Sequence, residues 1–108
     1  MDTVVVVNTD QMGHGARDLG QRILSTFLKK AIALPNLTAI LLYNAGVRLV
    51  APESPVLAEL RLLEERGVDV VPCGTCIEHY GVRPAVGSIS DMDTIVRELG
   101  RAAKVITL

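Results

Sequence analysis

The sequence predicts an α/β fold, a three-layer α/β/α sandwich around a five-stranded, mainly parallel sheet. Two observations carry this. Four short runs, Thr3–Val7, Thr38–Tyr43, Val68–Pro72 and Lys104–Leu108, are β-branched or aliphatic with little polar alternation. That is how strands read when both faces are buried. Helical patterns separate the runs, and such alternation implies parallel strands joined by crossovers, with helices on both faces. A fifth, weaker strand is expected at Ala85–Ser90, interrupted by Gly87. The default strand order for such a sheet is the flavodoxin-like 2-1-3-4-5. The chain reads as one domain over residues 1–108, with no repeat, linker or low-complexity tract.

Each helix has its own signals. From Ala16 to Ile32, Leu19, Ile23, Leu24, Phe27 and Leu28 recur at helical spacing. The second helix is expected to open with Ser54 as N-cap and Pro55 at its first position. It continues through Leu57, Leu60 and Leu63 and stops at Gly67. A short helix is expected from about Thr75 to Tyr80. Ser90 and Asp93 have capping-box spacing ahead of the last helix, with Asp in place of Glu. Met92, Ile95, Val96 and Leu99 would form its inner face, and Gly100 its end.

Composition narrows the function. Apolar residues make up 49% of 108, with one Phe, two Tyr and no Trp, so the core must be aliphatic. Few aromatics and a net charge of −1 argue against nucleic-acid binding and against attraction to anionic lipid. No run approaches the roughly 20 apolar residues of a membrane span. The N-terminus has Asp2 where a signal peptide would carry positive charge. The chain reads as cytoplasmic, where Cys73 and Cys76 stay mostly as thiols.

In open parallel sheets, ligands bind beyond the carboxyl ends of the strands. Three segments fall there: "NTDQMGHG" (Asn8–Gly15), "NAGVR" (Asn44–Arg48) and "CGTC" (Cys73–Cys76). Gly13 and Gly15 let a backbone approach a ligand, and the helix behind them offers free N–H groups to an anion. Asp18 stands where a dinucleotide fingerprint needs glycine, and no Gly-Lys-Ser/Thr follows as in a P-loop, so no cofactor is expected. Asp10 and His14 are acid–base candidates. Asn44 lies on the same edge, and Arg48 would bring a permanent positive charge near the third strand's end, favouring a thiolate or bound oxyanion.

The two cysteines leave several readings open: a redox pair, part of a zinc site, a carrier of sulfur or selenium, or inert thiols. Cys73 ends a buried strand and Cys76 falls in the first turn of the next helix, a setting that lowers thiol pKa. A zinc site would need Cys73, Cys76, His79 and His14 together, the only cysteines and histidines present; no metal is expected. A thioredoxin-like pair usually comes early in its chain, whereas here three predicted strands precede it.

Several segments, in order, carry a resemblance: "VVVVNTDQMGHG", "LLYNAGVRL", "SPVLAELRLLEERGVDVVPCGTCIEHYG" and "VGSISDMDTIVRELGRAAKVI". Together they resemble the DsrE/DsrF-like family, specifically the C-terminal domain of YedF-type proteins linked to selenium and sulfur metabolism. The resemblance implies an α/β/α sandwich that forms homo- or hetero-oligomers. It also implies a sulfurtransferase or carrier that holds a persulfide on a cysteine ending the third strand, eight residues before a glycine. Cys73 and Gly81 have that spacing. Implied partners are sulfur-donor and sulfur-acceptor proteins, among them a TusA-like carrier. In this reading the Cys73 thiolate takes the terminal sulfur from a donor's persulfide, and backbone N–H groups near Gly13–Gly15 and Gly74 stabilise the anionic persulfide. Cys76 or an acceptor's thiolate then removes the sulfur; the role of Cys76 is open between attacking that persulfide, holding selenium jointly with Cys73 and tuning its pKa. The alternatives are a non-catalytic binding or regulatory subunit of a sulfur relay, and a thioredoxin-like dithiol oxidoreductase.

Overall fold

The computed structural model describes residues 2–108. Strand β1 is Thr3–Val7, β2 Leu37–Leu42, β3 Asp69–Pro72 and β4 Lys104–Thr107. Helix α1 is Arg17–Ala31, α2 Leu57–Glu65, α3 Gly74–Tyr80 and α4 Met92–Arg101, and a 3-10 helix spans Asn44–Val50. All strand pairs are parallel, in the order β3-β2-β1-β4.

The continuous valines of β1 behave as the sequence predicts: all five residues are buried. Alternate residues face opposite layers. Val5, Val7, Ile40, Leu42 and Val70 pack with Leu24 and Leu28 of α1 and Leu60 and Leu63 of α2. On the other face Val4, Ala39, Leu41 and Cys73 pack with Ile95 of α4. This is the expected three-layer sandwich with an aliphatic core.

The sheet differs from expectation in two ways. Among the described residues it has four strands, not five. Residues 85–90 do run beside β3: the Ser88 N–H donates to Val70 O at 3.0 Å and the Ser90 N–H to Pro72 O at 3.0 Å. Gly87 interrupts them with φ +83°, and a Cβ there would lie 2.7 Å from Val70 O. A strand needs extended backbone, so only the Cys73–Ser90 bridge remains. The order also departs from the flavodoxin-like one, because β2 lies between β1 and β3. Strands β1 and β2 each lie beside their successor, as sequential strands usually do. Only the last connection crosses the sheet, carried by α4.

Helix starts shift by one or two residues. The Ser54 hydroxyl accepts from the Val56 N–H at 3.2 Å, so it closes a turn just ahead of α2 instead of capping it. Asp91, not Ser90, caps α4 by accepting from the Thr94 N–H at 2.8 Å, because the Ser90 backbone is committed to β3 and α3. Gly100 lies inside α4, which continues to Arg101. Of the expected inner face, Ile95 is buried, while Met92 and Val96 are exposed. No helix among the described residues is long and apolar enough to cross a membrane.

Candidate functional site

The dithiol segment is held by backbone bonds on both sides. The Cys73 N–H donates to Leu42 O at 2.9 Å, and the Gly74 N–H to Ser90 O at 2.7 Å. Cys73 is the N-cap of α3 with extended backbone, and Gly81 ends that helix in the left-handed region. This anchoring fixes the two thiols unequally. Cys73 points into the layer under α4 and is 1% exposed. Cys76 is half-buried and touches both core layers. Both are free thiols.

The 3-10 helix closes over Cys76. The Asn44 N–H donates to Cys76 Sγ at 3.1 Å, and the Tyr80 hydroxyl donates to Asn44 Oδ1 at 2.9 Å. Cys76 and Tyr80 are four residues apart on one face of α3, so a single residue, Asn44, bridges both. Asn44 takes φ +51° to do so. Gly46 sets the height of this cover, since a Cβ there would lie 2.1 Å from Val7 O. Burial pushes the Cys76 thiol above its ordinary pKa; the Asn44 N–H offsets this in part, and the neighbouring Cys73 adds to the rise. The low-pKa thiol expected from a helix start is therefore not found at Cys76.

The other predicted residues form a second cluster. Asp10 is buried at 6% exposure, and its carboxylate accepts from Arg17 Nη1 at 2.9 Å and Nη2 at 2.8 Å. Arg48 Nη1 lies 3.6 Å from the same carboxylate. The hydrogen bonds from Arg17 hold the Asp10 carboxyl below its usual pKa against the opposing effect of burial. Asp10 thus positions two arginines, a different task from the acid–base role the sequence suggests. The Arg48 guanidinium lies over the Tyr80 ring, 4.6 Å from its centroid, so its charge is engaged by Asp10 and Tyr80.

Gly13, His14 and Gly15 are exposed at the loop tip, and the Gln11 amide donates to the Gly13 and Gly15 carbonyls at 3.0 and 3.1 Å. Gly74 has no N–H free for an anion, because Ser90 O takes it. Among the described residues no three His, Cys, Asp or Glu side chains converge as a metal site.

Arg17, Tyr80 and Arg83 were not among the residues singled out from the sequence. Tyr80 had a usable signal in its four-residue step from Cys76. Arg17 lies two residues past the expected loop. Nothing local marks Arg83, which reaches the cluster only through the turn after α3. Asp10, Arg17, Arg48, Tyr80 and Arg83 line one cleft of about 780 Å³. Cys73 and Cys76 are not in its lining; the cleft meets the dithiol through Tyr80 and Asn44.

The model of the DsrE/DsrF-like family matches residues 1–108. Among solved structures, the ychN protein from E. coli is 19% identical, with a TM-score of 0.72, covering 99% of this chain and 98% of that one. A protein of unknown function from Methanobacterium thermoautotrophicum, MTH1491, is 17% identical, with a TM-score of 0.74 and the same coverage of each chain. At these identities the likeness shows the fold. No curated protein matches the chain.

Proposed function

The chain belongs to the DsrE/DsrF-like family, associated with sulfur metabolism in general, and we propose that it carries sulfur as a persulfide on Cys73 and relays it between protein thiols. One observation carries the reading: a buried thiol and a half-buried thiol three residues apart, at the carboxyl edge of the sheet. The exposure difference sets the order of events. A donor protein's persulfide meets Cys76 first. The Cys76 thiolate attacks the terminal sulfur, the donor leaves as its thiolate, and Cys76 becomes the persulfide. The Cys76 proton returns to the departing thiolate. The Cys73 thiolate then takes the same terminal sulfur, and Cys76 is restored as a thiol. Two sulfur–sulfur bonds form and two break, so no oxidant or reductant is needed. Delivery to an acceptor protein runs the steps backwards.

Burial protects the loaded sulfur from water and small thiols. The raised pKa of Cys76 keeps it mostly protonated until a partner docks. Exposed Ile89, Met92, Val96 and Val105 support the oligomer that the resemblance implies.

Incubation with a cysteine desulfurase and cysteine tests this by mass spectrometry. Wild type should gain one sulfur, located on Cys73. Cys76→Ser should load slowly, and Cys73→Ser should hold little sulfur after brief exposure to a mild reductant. No adduct on wild type, or an undiminished adduct in Cys73→Ser, would end the proposal. A second reading, a non-catalytic binding or regulatory subunit of a sulfur relay, is favoured by the same burial of Cys73. It predicts that a partner binds equally well after both thiols are replaced by serine. A thioredoxin-like exchange predicts instead a reversible Cys73–Cys76 disulfide that turns over with a reductant.

A further inference from the structure

The arginine cleft has no part in the sulfur chemistry above, yet its chemistry is specific. Three guanidiniums, Arg17, Arg48 and Arg83, face two carboxylates, Asp10 and Glu53. Arg17 spends two N–H groups on Asp10. Arg48 lies beyond hydrogen-bond distance of Asp10, at 3.6 Å. Its guanidinium lies over the Tyr80 ring, 4.6 Å from the centroid, and among the described residues its N–H groups make no side-chain hydrogen bond, so they stay free to donate. Arg83 is exposed and has no ion-pair partner among the described residues. Two of the three guanidiniums therefore keep their donors for something else.

We propose that this cleft binds a ligand with two carboxylates, one seated on Arg48 and the other on Arg83. The fork of a guanidinium matches a carboxylate with two parallel bonds, and Arg17 already meets Asp10 in that way. Buried Asp10 and the Tyr80 ring fix Arg48 before any ligand arrives, which lowers the entropy cost of binding. A volume of about 780 Å³ is that of an organic-ligand site rather than a seat for a single ion. Leu49 and Val82 give it apolar wall for a carbon skeleton. A dicarboxylate spreads its two charges over two guanidiniums, whereas phosphate concentrates its charge at one point near Asp10 and Glu53. The two carboxylates come either from a free dicarboxylic acid or from neighbouring acidic side chains of a protein segment.

Calorimetric titration of the intact chain with glutarate, with a blocked Glu-Glu dipeptide and with inorganic phosphate tests this. At least one carboxylate probe should bind saturably, with Kd below about 1 mM. Tighter glutarate points to a free acid, and tighter dipeptide to a partner segment. Arg48→Gln/Arg83→Gln should weaken binding at least about tenfold, and so should raising salt from about 0.1 to about 1 M, where screening shortens from about 10 to about 3 Å. Arg83→Gln alone, at an exposed position, should weaken binding with an unchanged circular dichroism spectrum. Cys73→Ser/Cys76→Ser should bind as wild type does, so failure of the sulfur relay leaves this result standing. Lack of saturable binding by both carboxylate probes, undiminished binding in the double arginine variant, or tighter binding of phosphate would overturn the proposal.

Discussion

Gly46→Ala tests whether the cover over Cys76 is set by backbone contact. The added methyl would sit 2.1 Å from Val7 O, where ordinary contact begins near 3.4 Å. Val7 O belongs to the buried central strand and also accepts the Tyr43 N–H at 3.2 Å. The strand cannot yield, so the 3-10 helix must lift by roughly 1 Å. Overpacking of this kind costs about 1–3 kcal/mol, and a backbone obstacle puts the cost at the upper end, near 3. For a domain of this size each kcal/mol moves Tm by about 4–8 °C, so Tm should fall by about 12–24 °C. Asn44 begins the same helix, so Cys76 should also alkylate faster at fixed pH. Gly15→Ala is the control: a Cβ there meets nothing within 4 Å, and the cost should stay within about 0.5 kcal/mol. Thermal unfolding and iodoacetamide labelling read both effects. A Gly46→Ala protein within about 1 kcal/mol of wild type, or a Gly15→Ala protein equally damaged, would refute the reasoning.

Three further outcomes follow from the site. Because burial raises the Cys76 pKa, its alkylation rate in site-resolved mass spectrometry should still be climbing at about pH 8.5, the ordinary thiol value; a plateau near neutrality would contradict this. Tyr80→Phe removes the 2.9 Å bond to Asn44 and should cost about 1 kcal/mol while speeding Cys76 alkylation; no change in either would show that Asn44 is held by other means. Asp10 is depressed by its bonds to Arg17, so its stabilisation is full above the unfolded value of about 3.9 and is lost as pH falls through the lower folded value. Wild type should therefore lose more Tm than Asp10→Asn between about pH 5 and pH 2, and parallel curves would refute that assignment.

The strands with continuous apolar runs were legible because burial on both faces leaves no alternation to confuse. Ala85–Ser90 failed as a strand because one residue, Gly87, takes a positive φ that its apolar neighbours do not reveal. Strand order was not legible, since apolar runs specify burial and not which neighbour supplies it. Along the carboxyl edge Asp10 and Arg48 lie together, and Asn44 sits against Cys76. A place on that edge said nothing of depth. Cys73 sinks under α4 because side chains alternate along β3 and its extension, which puts Val71 and Cys73 in the same layer. The expected roles of Gly13, His14 and Gly15 as ligand contacts rest on the loop tip alone, outside the cleft lining.

The order β3-β2-β1-β4 has a consequence for how the chain folds. Thr3 pairs with Lys104, and Val6 with Thr107, so the first strand gains its second neighbour from residues about a hundred positions later. Closing so long a loop costs entropy before any contact repays it. During synthesis, at about 5–20 residues per second, β1 and β2 can pair early, while the far edge of β1 stays open until Lys104–Thr107 are made. The four valines that build the stable centre of the sheet are thus also, for several seconds, an unpaired and adhesive edge.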